Sequence, residues 1–362
     1  MLNIGIDART IFTSERTGIA NYTLQLITGL LANNMKVTLF TNTIHNNPFP
    51  LGGKNINIIY GKAKLRPIWE QIVLPWLLYK HPVDIYHATW NYGIPLLYKK
   101  KSILTVHDII PLTYKKRYFS NSVIDKLFFL SYKISLRFSL KKASQVITDS
   151  QYSFKQIVSF FPEFSAKIKV LPLGIDLDWA ANKNNSAIIN LPKKYILYYG
   201  GFEKRKNVEL LIEAFNKIKS RIPYYNLVIV GKKNEYYDKF LKKYNNDRGI
   251  IFTDYINKQK LNKYLHHTTL MVYPSEYEGF GLPVLEAMAV GCPVITNKFS
   301  SIHEITGDAA IYYSNIQELG NIIINSVSNK NLLKSCELNG IERAKQFTWT
   351  NYIKNILLIY KV

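Results

Sequence analysis

The stretch LMVYPSEYEGFGLPVLEAMAVGCPVITN, residues 270–297, contains a complete strand–helix–strand unit. Its ends, LMVYPS (270–275) and PVITN (293–297), are short apolar runs of the length expected for buried strands. Between them, Pro283 stands where a helix tolerates proline, in its first turn, and the helix is expected to end near Gly291. A strand, a crossover helix and a second strand predict a parallel pair in a sheet that is covered by helices.

The same alternation of apolar runs and amphipathic segments fills the rest of the chain in two series. Helical patterns such as 18–34 and 122–143 separate the strands of the first series. The predicted fold class is therefore α/β, with two doubly wound, Rossmann-like parallel-sheet domains that face a cleft. The predicted strands are 3–8, 36–41, 56–61, 84–89, 102–108, 144–150 and 168–174 in the first series, and 195–201, 226–232, 250–256, 270–275 and 293–297 in the second.

A polar stretch, DWAANKNNSA (178–187), separates the two series and is predicted to link the domains. This places an N-terminal domain at 1–177 and a C-terminal domain at 178–344. The last helical run, near 341–361, is amphipathic, and its segment 345–362 could pack back onto the N-terminal domain.

Charge and composition restrict the kind of partner. The chain of 362 residues carries a formal net charge of +22, which calls for an anionic partner such as nucleic acid, anionic lipid or a phosphorylated ligand. The chain has two cysteines, no N-terminal secretory pattern and no apolar run of membrane-spanning length. We therefore expect a cytoplasmic protein, whose contact with a membrane would be peripheral, on the inner face of the cytoplasmic membrane.

A basic turn, FEKRKN (202–207), follows one predicted strand and precedes a helix. Its cations, Lys204, Arg205 and Lys206, gather at a helix N-terminus, where the macrodipole is positive and makes further positive charge unfavourable. One interpretation is a solvated loop on a basic protein. The other is a phosphate site in which Arg205 binds the oxygens bidentately and Lys206 acts as a point charge.

Two glutamates flank the glycine-rich turn of the opening stretch. Glu278 precedes the helix and Glu286 lies near its start, so both can face the same edge of the sheet. Gly279 and Gly281 carry no side chains, which lets backbone N–H groups approach a polyhydroxylated ligand. Carboxylates accept paired hydrogen bonds from neighbouring hydroxyls, so the spacing suits one carboxylate on a sugar and the other on a ribose. Taken alone, the stretch is equally compatible with a helix start that has acids near its positive end.

The stretch PSEYEGFGLPVLEAMAVGCPVIT resembles the E-x7-E signature of the family 4 retaining glycosyltransferases, which have the GT-B fold. The resemblance extends over nearly the whole chain and is greatest to bacterial members that build surface polysaccharide, including mannosyltransferase-like enzymes. Other segments that follow the family's order are TGIANYTLQLI (17–27), VHDIIPL (106–112), TDSQYSFKQI (148–157), VLPLGID (170–176), GGFEKRKN (200–207) and SSIHEITGDAA (300–310).

The resemblance implies an activity and a division of labour. The enzyme would move a sugar, with mannose as one candidate, from a nucleotide-diphosphate donor to a glycan or lipid-linked acceptor of O-antigen or capsule synthesis. The anomeric configuration would be retained. The N-terminal domain would face the acceptor, and the C-terminal domain would bind the nucleotide sugar.

The resemblance also implies roles for individual residues. Glu278 would hold hydroxyls of the donor sugar, and Glu286 would bind the ribose. Arg205 and Lys206 would bind the diphosphate, while His107 would reach the donor sugar or its phosphate. The implied catalytic residues are Glu278, His107, Arg205 and Lys206, and the implied donor-binding residues are Gly18, Arg205, Lys206, Tyr255, Glu278, Gly279, Phe280, Gly281, Leu282 and Glu286.

Two positions depart from the family pattern. Gly201 follows Gly200, whereas many members carry arginine after the glycine, so Arg205 would take over that charge. Asp254 stands before Tyr255, in the loop near the nucleotide base, where many members have glycine.

No cofactor or metal is predicted apart from the nucleotide-diphosphate sugar, which is a substrate. Asp176-Leu177-Asp178 has the D-x-D form of a metal–diphosphate motif, but it falls in the segment that resembles the end of the first domain. His266 and His267 would point about 100° apart on a helix, which is poor geometry for a shared metal ion. The diphosphate charge would then be neutralised by cationic side chains.

The segment 99–142 carries eleven basic and two acidic residues, with aromatic residues interleaved. It can be a basic helix with a buried aromatic face, or a surface that meets anionic lipid or a lipid-linked acceptor. The aromatic residues of this segment are Tyr114, Tyr118, Phe119, Phe128, Phe129 and Tyr132.

A sugar transferase of this kind would not bind nucleic acid. Two other functions remain alternatives to sugar transfer. A nucleic-acid-binding protein would account for the charge and the aromatic residues, and its affinity would fall steeply with salt. A non-catalytic sugar-nucleotide-binding subunit of a synthase would bind the donor without turning it over.

Overall fold

The computed structural model describes residues 1–13, 17–43, 48–49, 53–114, 123–183, 191–244, 247 and 249–361. These residues form two compact units. Unit 1 contains 1–174 together with 349–362, and unit 2 contains 175–348. Part of the basic, aromatic segment, including Tyr118 and Phe119, lies outside the described residues, as do residues 184–190 of the predicted linker.

Unit 1 is built on a seven-stranded sheet in which every neighbouring pair is parallel. Its inner strands are buried on both faces by apolar residues, as a parallel sheet covered by helices requires. The spatial order is β3-β2-β1-β4-β5-β6-β7. The strands are β1 (Asn3–Asp7), β2 (Lys36–Thr41), β3 (Ile56–Tyr60), β4 (Ile85–Ala88), β5 (Ser102–Thr105), β6 (Gln145–Thr148) and β7 (Ile168–Val170).

Helices connect and cover these strands. The first helix begins where the Oγ1 atom of Thr17 accepts a hydrogen bond from the N–H of Ala20, a side-chain cap for an otherwise unpaired donor. The helices are α1 (Gly18–Ala32), α2 (Arg66–Ile68), which continues through a π-helical segment (Trp69–Val73) into α3 (Leu74–Lys80), α4 (Ile110–Thr113), α5 (Val123–Lys142) and α6 (Gln151–Phe160), with 3₁₀ turns at Arg9–Phe12 and Pro162–Lys167.

Unit 2 is built on a six-stranded sheet that is also parallel throughout, in the order β10-β9-β8-β11-β12-β13. The two central strands, β8 and β11, are neighbours although they are far apart in the chain. The strands are β8 (Tyr195–Tyr199), β9 (Asn226–Val230), β10 (Ile250–Thr253), β11 (Leu270–Tyr273), β12 (Val294–Thr296) and β13 (Ile311–Tyr312).

Three helices of unit 2 start at asparagine caps. Asn257, Asn315 and Asn329 each accept a hydrogen bond from the backbone N–H three residues later, as N-cap residues do. The helices are α7 (Leu177–Ala181), α8 (Val208–Ile218), α9 (Glu235–Tyr244), α10 (Lys258–His267), α11 (Leu282–Val290), α12 (Ile302–Thr306), α13 (Ile316–Ser328) and α14 (Lys330–Ala344), with 3₁₀ turns at Lys204–Lys206 and Gly307–Ala309.

The C-terminal helix, α15 (Trp349–Lys361), belongs to unit 1. Its inner face packs on α1, where a methyl group added to Gly29 would lie 2.4 Å from the side chain of Ile353. The hydroxyl of Tyr352 also lies 2.8 Å from that of Tyr22, in the core of the unit. The sequence pattern had predicted one helical run near 341–361, but the run is broken between α14 and α15, where Phe347 and Thr348 pair with Ile175.

The predicted fold class is confirmed: both domains are parallel α/β sheets, and all twelve predicted strands are present. Most of the strands end before the predicted residue, and the two-residue strand β13 was not predicted. The first residues of the predicted linker form helix α7, because Oδ1 of Asp176 accepts a hydrogen bond of 3.0 Å from the N–H of Trp179. Within the described residues, no helix has both the length and the apolarity needed to cross a membrane.

Candidate active site

The candidate site of unit 2 lies at the carboxyl edge of its sheet. Strands β8 and β11 are adjacent and parallel, so the turns that follow them meet at that edge. The turn after β8 carries Arg205 and Lys206, and the turn after β11 carries Glu278. Two hydrogen bonds join the turns: the backbone N–H of Glu276 donates to the carbonyl of Arg205 (2.9 Å), and the side-chain amide of Asn207 donates to the carbonyl of Pro274 (3.2 Å).

Glu278 is the centre of a buried hydrogen-bond cluster. Its Oε1 atom accepts from Nζ of Lys206 (2.5 Å), Nη1 of Arg205 (3.1 Å), the hydroxyl of Ser275 (2.5 Å) and the hydroxyl of Tyr273 (3.0 Å). Within the described part of the chain, the hydrogen bonds to this carboxylate all reach Oε1 and none reaches Oε2. The carboxylate therefore orders the cationic pair and keeps one oxygen for another donor.

The charges in this cluster stabilise one another. Burial by itself favours the neutral acid, but Lys206 and then Arg205 outweigh it and hold the pKa of Glu278 down at about 2. Burial also lowers the pKa of Lys206, while the adjacent carboxylate opposes that shift. Glu278 is thus ionised throughout the neutral range. Tyr273 and Ser275, which complete the cluster, were not identified from the sequence. The sequence feature that could have indicated them is their position as polar residues at the end of a strand next to β8.

The glycine-rich turn between Glu278 and helix α11 is held by two serines. The N–H of Glu278 donates to Oγ of Ser300 (3.0 Å). The hydroxyl of Ser301 lies 2.9 Å from the carbonyl of Glu278 and 2.8 Å from that of Phe280. Gly281 has φ of +112°, a conformation that favours glycine, and a Cβ there would lie 2.8 Å from Ile302. The main chain of Gly279, Phe280, Gly281 and Leu282 is therefore fixed at the carboxyl edge, next to the cation pair.

Glu286 occupies a different environment, one helical turn further along α11. Burial raises the pKa of Glu286 to about 7, and the nearby Lys258 opposes that shift only in part. Tyr199, at the end of β8, lies within electrostatic reach of both Glu286 and Tyr255, and burial together with these two groups raises its pKa. Tyr255 itself is 55% exposed. Glu286 thus shares its surroundings with a tyrosine pair and one lysine.

The other two predicted site residues, His107 and Gly18, belong to unit 1. His107 follows β5 and is buried, with Nδ1 2.7 Å from Oδ2 of Asp149 and Nε2 3.2 Å from the carbonyl oxygen of Thr89. Asp149 follows β6 and Thr89 follows β4, the two neighbours of β5, so these groups meet at the carboxyl edge of this sheet too. Gly18 is the first residue of α1, and a Cβ there would meet no side chain of the described residues within 4 Å, apart from its chain neighbours.

The same edge of unit 1 holds a charged cluster that sequence reasoning missed. Arg9 binds Oδ2 of Asp7 (2.7 Å) and Oε1 of Glu70 (3.2 Å), and Arg66 binds the same Glu70 oxygen (2.5 Å). The guanidinium group of Arg66 also lies 3.9 Å from the ring centroid of Tyr92. Two cations thus meet two carboxylates beside an aromatic ring. These residues come from three separated segments of the chain, so no local sequence pattern predicts the cluster.

The residues considered as metal ligands are engaged in other contacts. Asp176 caps α7. A ring nitrogen of His266 lies 3.1 Å from the carbonyl oxygen of Ala180, and one of His267 lies 2.8 Å from that of Lys263. Among the residues that the structure describes, no group of three or more histidine, cysteine, aspartate or glutamate side chains is placed to hold a metal ion.

Comparison with known proteins gives two family matches that together span nearly the whole chain. Residues 16–179 match the model described as Glycosyltransferase Family 4, and residues 181–343 match that described as Glycosyl transferases group 1. The chain is 27% identical over 302 residues to the O-antigen chain mannosyltransferase B of Escherichia coli, an alignment that covers 79% of this chain and 76% of that protein.

Solved structures extend the likeness to the fold. The sucrose-phosphate synthase of Thermosynechococcus elongatus matches with a TM-score of 0.79 at 20% identity, covering 100% of this chain and 98% of that one. The Anabaena protein Alr3699/HepE, solved in complex with UDP and glucose, matches with a TM-score of 0.76 at 16% identity and full coverage of both chains. At these identities the likeness establishes the shared two-domain fold.

Proposed function

The chain belongs to the glycosyltransferases that these two family models describe, and on that premise we propose a specific transfer reaction for it. The protein moves a sugar, with mannose as the first candidate, from a nucleotide-diphosphate donor to a glycan or lipid-linked acceptor. The product belongs to a bacterial surface polysaccharide such as O-antigen or capsule. The O-antigen mannosyltransferase relative supports the sugar and the pathway class.

The cluster around Glu278 is the observation that carries this proposal. Arg205 and Lys206 present two cations at the carboxyl edge of a Rossmann-like sheet, the place where such sheets bind nucleotides. A diphosphate bound there would accept hydrogen bonds from both. The second oxygen of Glu278 and the backbone of the adjoining glycine-rich turn would then bind hydroxyls of the donor sugar.

Glu286 completes the donor site in this proposal by binding the ribose. Its partial burial beside Tyr199 and Lys258 supports a ligand-facing role, since a carboxylate accepts hydrogen bonds from both hydroxyls of a ribose. Tyr255 is exposed enough to contact the nucleotide base.

The chemistry proposed is electrostatic stabilisation of the departing diphosphate, with retention at the anomeric carbon and without a metal ion. Removing a single preorganised donor of this kind typically costs about 2.7–4 kcal/mol of transition-state stabilisation. Transfer should therefore continue in excess chelator. If chelator abolishes transfer and magnesium or manganese restores it, the proposal is contradicted. Asp176 and Asp178 would then be the candidate metal ligands.

The charged cluster of unit 1 supports an acceptor site at that sheet edge. Its two arginines and two carboxylates balance one another, so it offers hydrogen-bonding groups without attracting a strongly charged ligand. The ring of Tyr92 beside Arg66 adds an apolar surface of the kind on which a sugar ring can lie.

A panel of nucleotide sugars tests the donor proposal directly. GDP-mannose, UDP-glucose and their free nucleotides are added to the protein, and the unfolding temperature is measured, because a ligand that binds only the folded chain raises it. We expect one nucleotide series to stabilise the protein and its sugar to be transferred to an acceptor. Binding without hydrolysis or transfer would instead favour a non-catalytic synthase subunit.

A second proposal concerns where the protein acts. Outside its packed residues, helix α5 exposes large apolar side chains, including Leu127 (61% exposed), Phe128 (64%) and Ile134 (47%). A helix that is apolar beyond its packed face is unusual on a protein surface. Lys126 and Lys133 lie on the same helix. We propose that this exposed apolar surface rests in the interface of an anionic bilayer, with the protein peripheral on the cytoplasmic side.

Neighbouring segments enlarge the same apolar surface. The ring of Tyr92 contacts that of Tyr132 on α5, with the ring centroids 5.5 Å apart. The N–H of Leu96 donates to Gln71 (3.0 Å), in the helical segment 66–80. The loop that carries Tyr92 and Leu96 therefore connects α5 to that segment. That segment and loop expose further large apolar residues: Ile68, Ile72, Trp76, Tyr79, Leu96 and Leu97.

Vesicle sedimentation tests the membrane proposal. Phe128→Ser with Ile134→Ser should reduce binding to vesicles that contain anionic lipid, and Lys126→Gln with Lys133→Gln should make the residual binding less sensitive to salt. Leu338→Ser, at an equally exposed leucine on α14, is the control and should bind as the wild type does. Equal sedimentation of all variants with neutral and anionic vesicles would overturn the proposal.

Salt-sensitive binding to nucleic acid that survives Glu278→Gln would favour the nucleic-acid alternative.

A further inference from the structure

The imidazole ring of His107 is held by two acceptors at once. Its Nδ1 atom lies 2.7 Å from Oδ2 of Asp149, and its Nε2 atom lies 3.2 Å from the carbonyl oxygen of Thr89. The three residues are buried, with 7%, 2% and 1% of their surfaces exposed for His107, Asp149 and Thr89. Little water is therefore available to replace either partner.

The chemistry of these partners determines where the protons lie. A backbone carbonyl has no proton to donate, and neither has an ionised carboxylate. A neutral ring carries one proton, so one of its nitrogens would turn a lone pair towards an acceptor oxygen. When Asp149 is ionised, both contacts are hydrogen bonds only if both ring nitrogens are protonated. Burial raises the pKa of Asp149, and the charge and hydrogen bond of His107 oppose that shift.

We propose that Asp149 is a positioning residue that holds His107 as a doubly protonated imidazolium, so that the ring supplies a fixed positive charge and does not act as a base. The proposal rests on the proposed function, because the reaction that would use this charge is the departure of a diphosphate. Asp149 touches neither donor nor acceptor in this scheme and acts through the ring.

The surroundings of the ring agree with a charged state. Burial lowers the pKa of His107, but the charge and hydrogen bond of Asp149, with a smaller contribution from Asp108, outweigh burial and raise it. Within the described residues, Oδ1 of Asp149 has no hydrogen-bond partner, so the ring is the main compensation for this buried carboxylate. Among the described residues, the other titratable groups that interact with the pair are Tyr22, whose ring centroid lies 4.7 Å from that of the imidazole, and His87 and Tyr352.

His87 provides a contrast within the same sheet. It is fully buried, but its ring nitrogens meet hydroxyls, that of Tyr360 (2.6 Å) and that of Thr105 (2.8 Å). Hydroxyls can donate as well as accept, so a neutral ring satisfies both contacts. Burial accordingly lowers the pKa of His87 to about 3. The two histidines have similar burial but differ in protonation state, because only His107 is next to a carboxylate.

Nitrogen-15 NMR of the histidine side chains tests the inference without any substrate. The signals of His107 and His87 are assigned from the His107→Gln and His87→Gln variants. In the wild type at pH 7.5 we expect both nitrogens of His107 to be protonated and the ring of His87 to be neutral. In Asp149→Asn the midpoint of the His107 titration should fall below the ordinary value of about 6.5, because burial then acts without the opposing carboxylate.

Activity provides a second readout that a purely structural role would not move. Asp149→Asn should lower kcat at pH 7.5 and leave the KM for the donor nearly unchanged, and its kcat should recover as the pH is lowered and the ring regains its proton. A neutral His107 ring in the wild type at pH 7.5 overturns the inference, whether or not Asp149→Asn folds. A charged ring in a protein that transfers no sugar from the nucleotide-sugar panel contradicts the proposed function instead.

Discussion

Glu278 and Glu286 are chemically identical and stand on either side of one helix start, yet the protein gives them opposite electrostatic environments. Glu278 receives four hydrogen bonds on one oxygen, two of them from cations, and its pKa falls to about 2. Glu286 has one lysine within electrostatic reach, and burial raises its pKa to about 7. The first carboxylate is ionised throughout the neutral range, and the second changes charge near pH 7.

This difference follows from position relative to the sheet. Glu278 lies in the turn after β11, beside the basic turn after β8, whereas Glu286 lies one turn into helix α11, beyond the reach of that turn's cations in the contacts described. A buried carboxylate with preformed partners adds to the free energy of unfolding. A buried carboxylate without partners lowers it, and a bound ligand that donates hydrogen bonds can offset that loss. We therefore expect Glu278 to serve structure and chemistry together, and Glu286 to serve binding.

The largest expected effect is that of Glu278→Gln, which leaves two buried cations without a carboxylate. Loss of one partner of such a pair should lower the free energy of unfolding by about 3–5 kcal/mol, measured by denaturant titration at pH 7. The folded-state pKa of about 2 lies below the ordinary 4.5, so this contribution is complete above pH 4.5 and is lost as the pH falls towards 2.

Glu209→Gln is the control for that measurement. Glu209 pairs with Lys243 on the surface of the same unit (2.6 Å), where solvent screens the two charges and the salt bridge contributes little to stability. Turnover with the donor should fall in Glu278→Gln while free nucleotide still binds. If the two variants lose equal stability, the cluster around Glu278 is not the stabilising element described above.

Glu286→Gln should have the opposite effect on stability and a smaller one. The folded-state pKa of about 7 lies above 4.5, so the unfolded chain ionises first and the wild type loses stability as the pH rises from 4.5 through 7. The glutamine variant does not ionise, so at pH 8 it should be more stable than the wild type by about 1–3 kcal/mol. Equal stability of the two proteins at pH 5 and at pH 8 would contradict the contrast between the carboxylates.

Nucleotide affinity separates the two roles further. Glu286→Gln should weaken the binding of free nucleotide and of donor alike, by roughly ten- to a hundredfold, because hydrogen bonds to a charged group contribute about 1.5–3 kcal/mol. Isothermal titration calorimetry beside turnover measurements checks this. If Glu278→Gln abolishes nucleotide binding and Glu286→Gln leaves it intact, the assignments of sugar and ribose are reversed.

The smallest expected effect is a dependence of nucleotide affinity on pH. Only the ionised form of Glu286 accepts hydrogen bonds from both ribose hydroxyls, so affinity should rise about tenfold between pH 6 and pH 8 as the group with pKa of about 7 ionises. The same titration of Glu286→Gln corrects for protonation of the nucleotide itself. A wild type and variant with parallel pH profiles would show that Glu286 does not titrate in the binding reaction.

Much of the fold was predictable because it depends on local patterns. Short apolar runs between amphipathic segments predicted twelve strands that are all present, and the glycine and proline at either end of α11 predicted that helix. Strand β13 was missed because it has two residues, too few for a periodic pattern. The break before α15 was missed because it depends on pairing with Ile175, which lies far away in the sequence.

The sequence by itself determined the α/β class, the family and the residues from which a donor site would be built, because each of these depends on patterns among residues that are close in the chain. The tertiary structure alone decided what those residues face. Lys206 meets Glu278 because β8 and β11 are adjacent, and Asp149 meets His107 because β5 and β6 are adjacent. Strand order arises from packing between distant segments, so the charge that each site residue carries can be derived only from the folded chain.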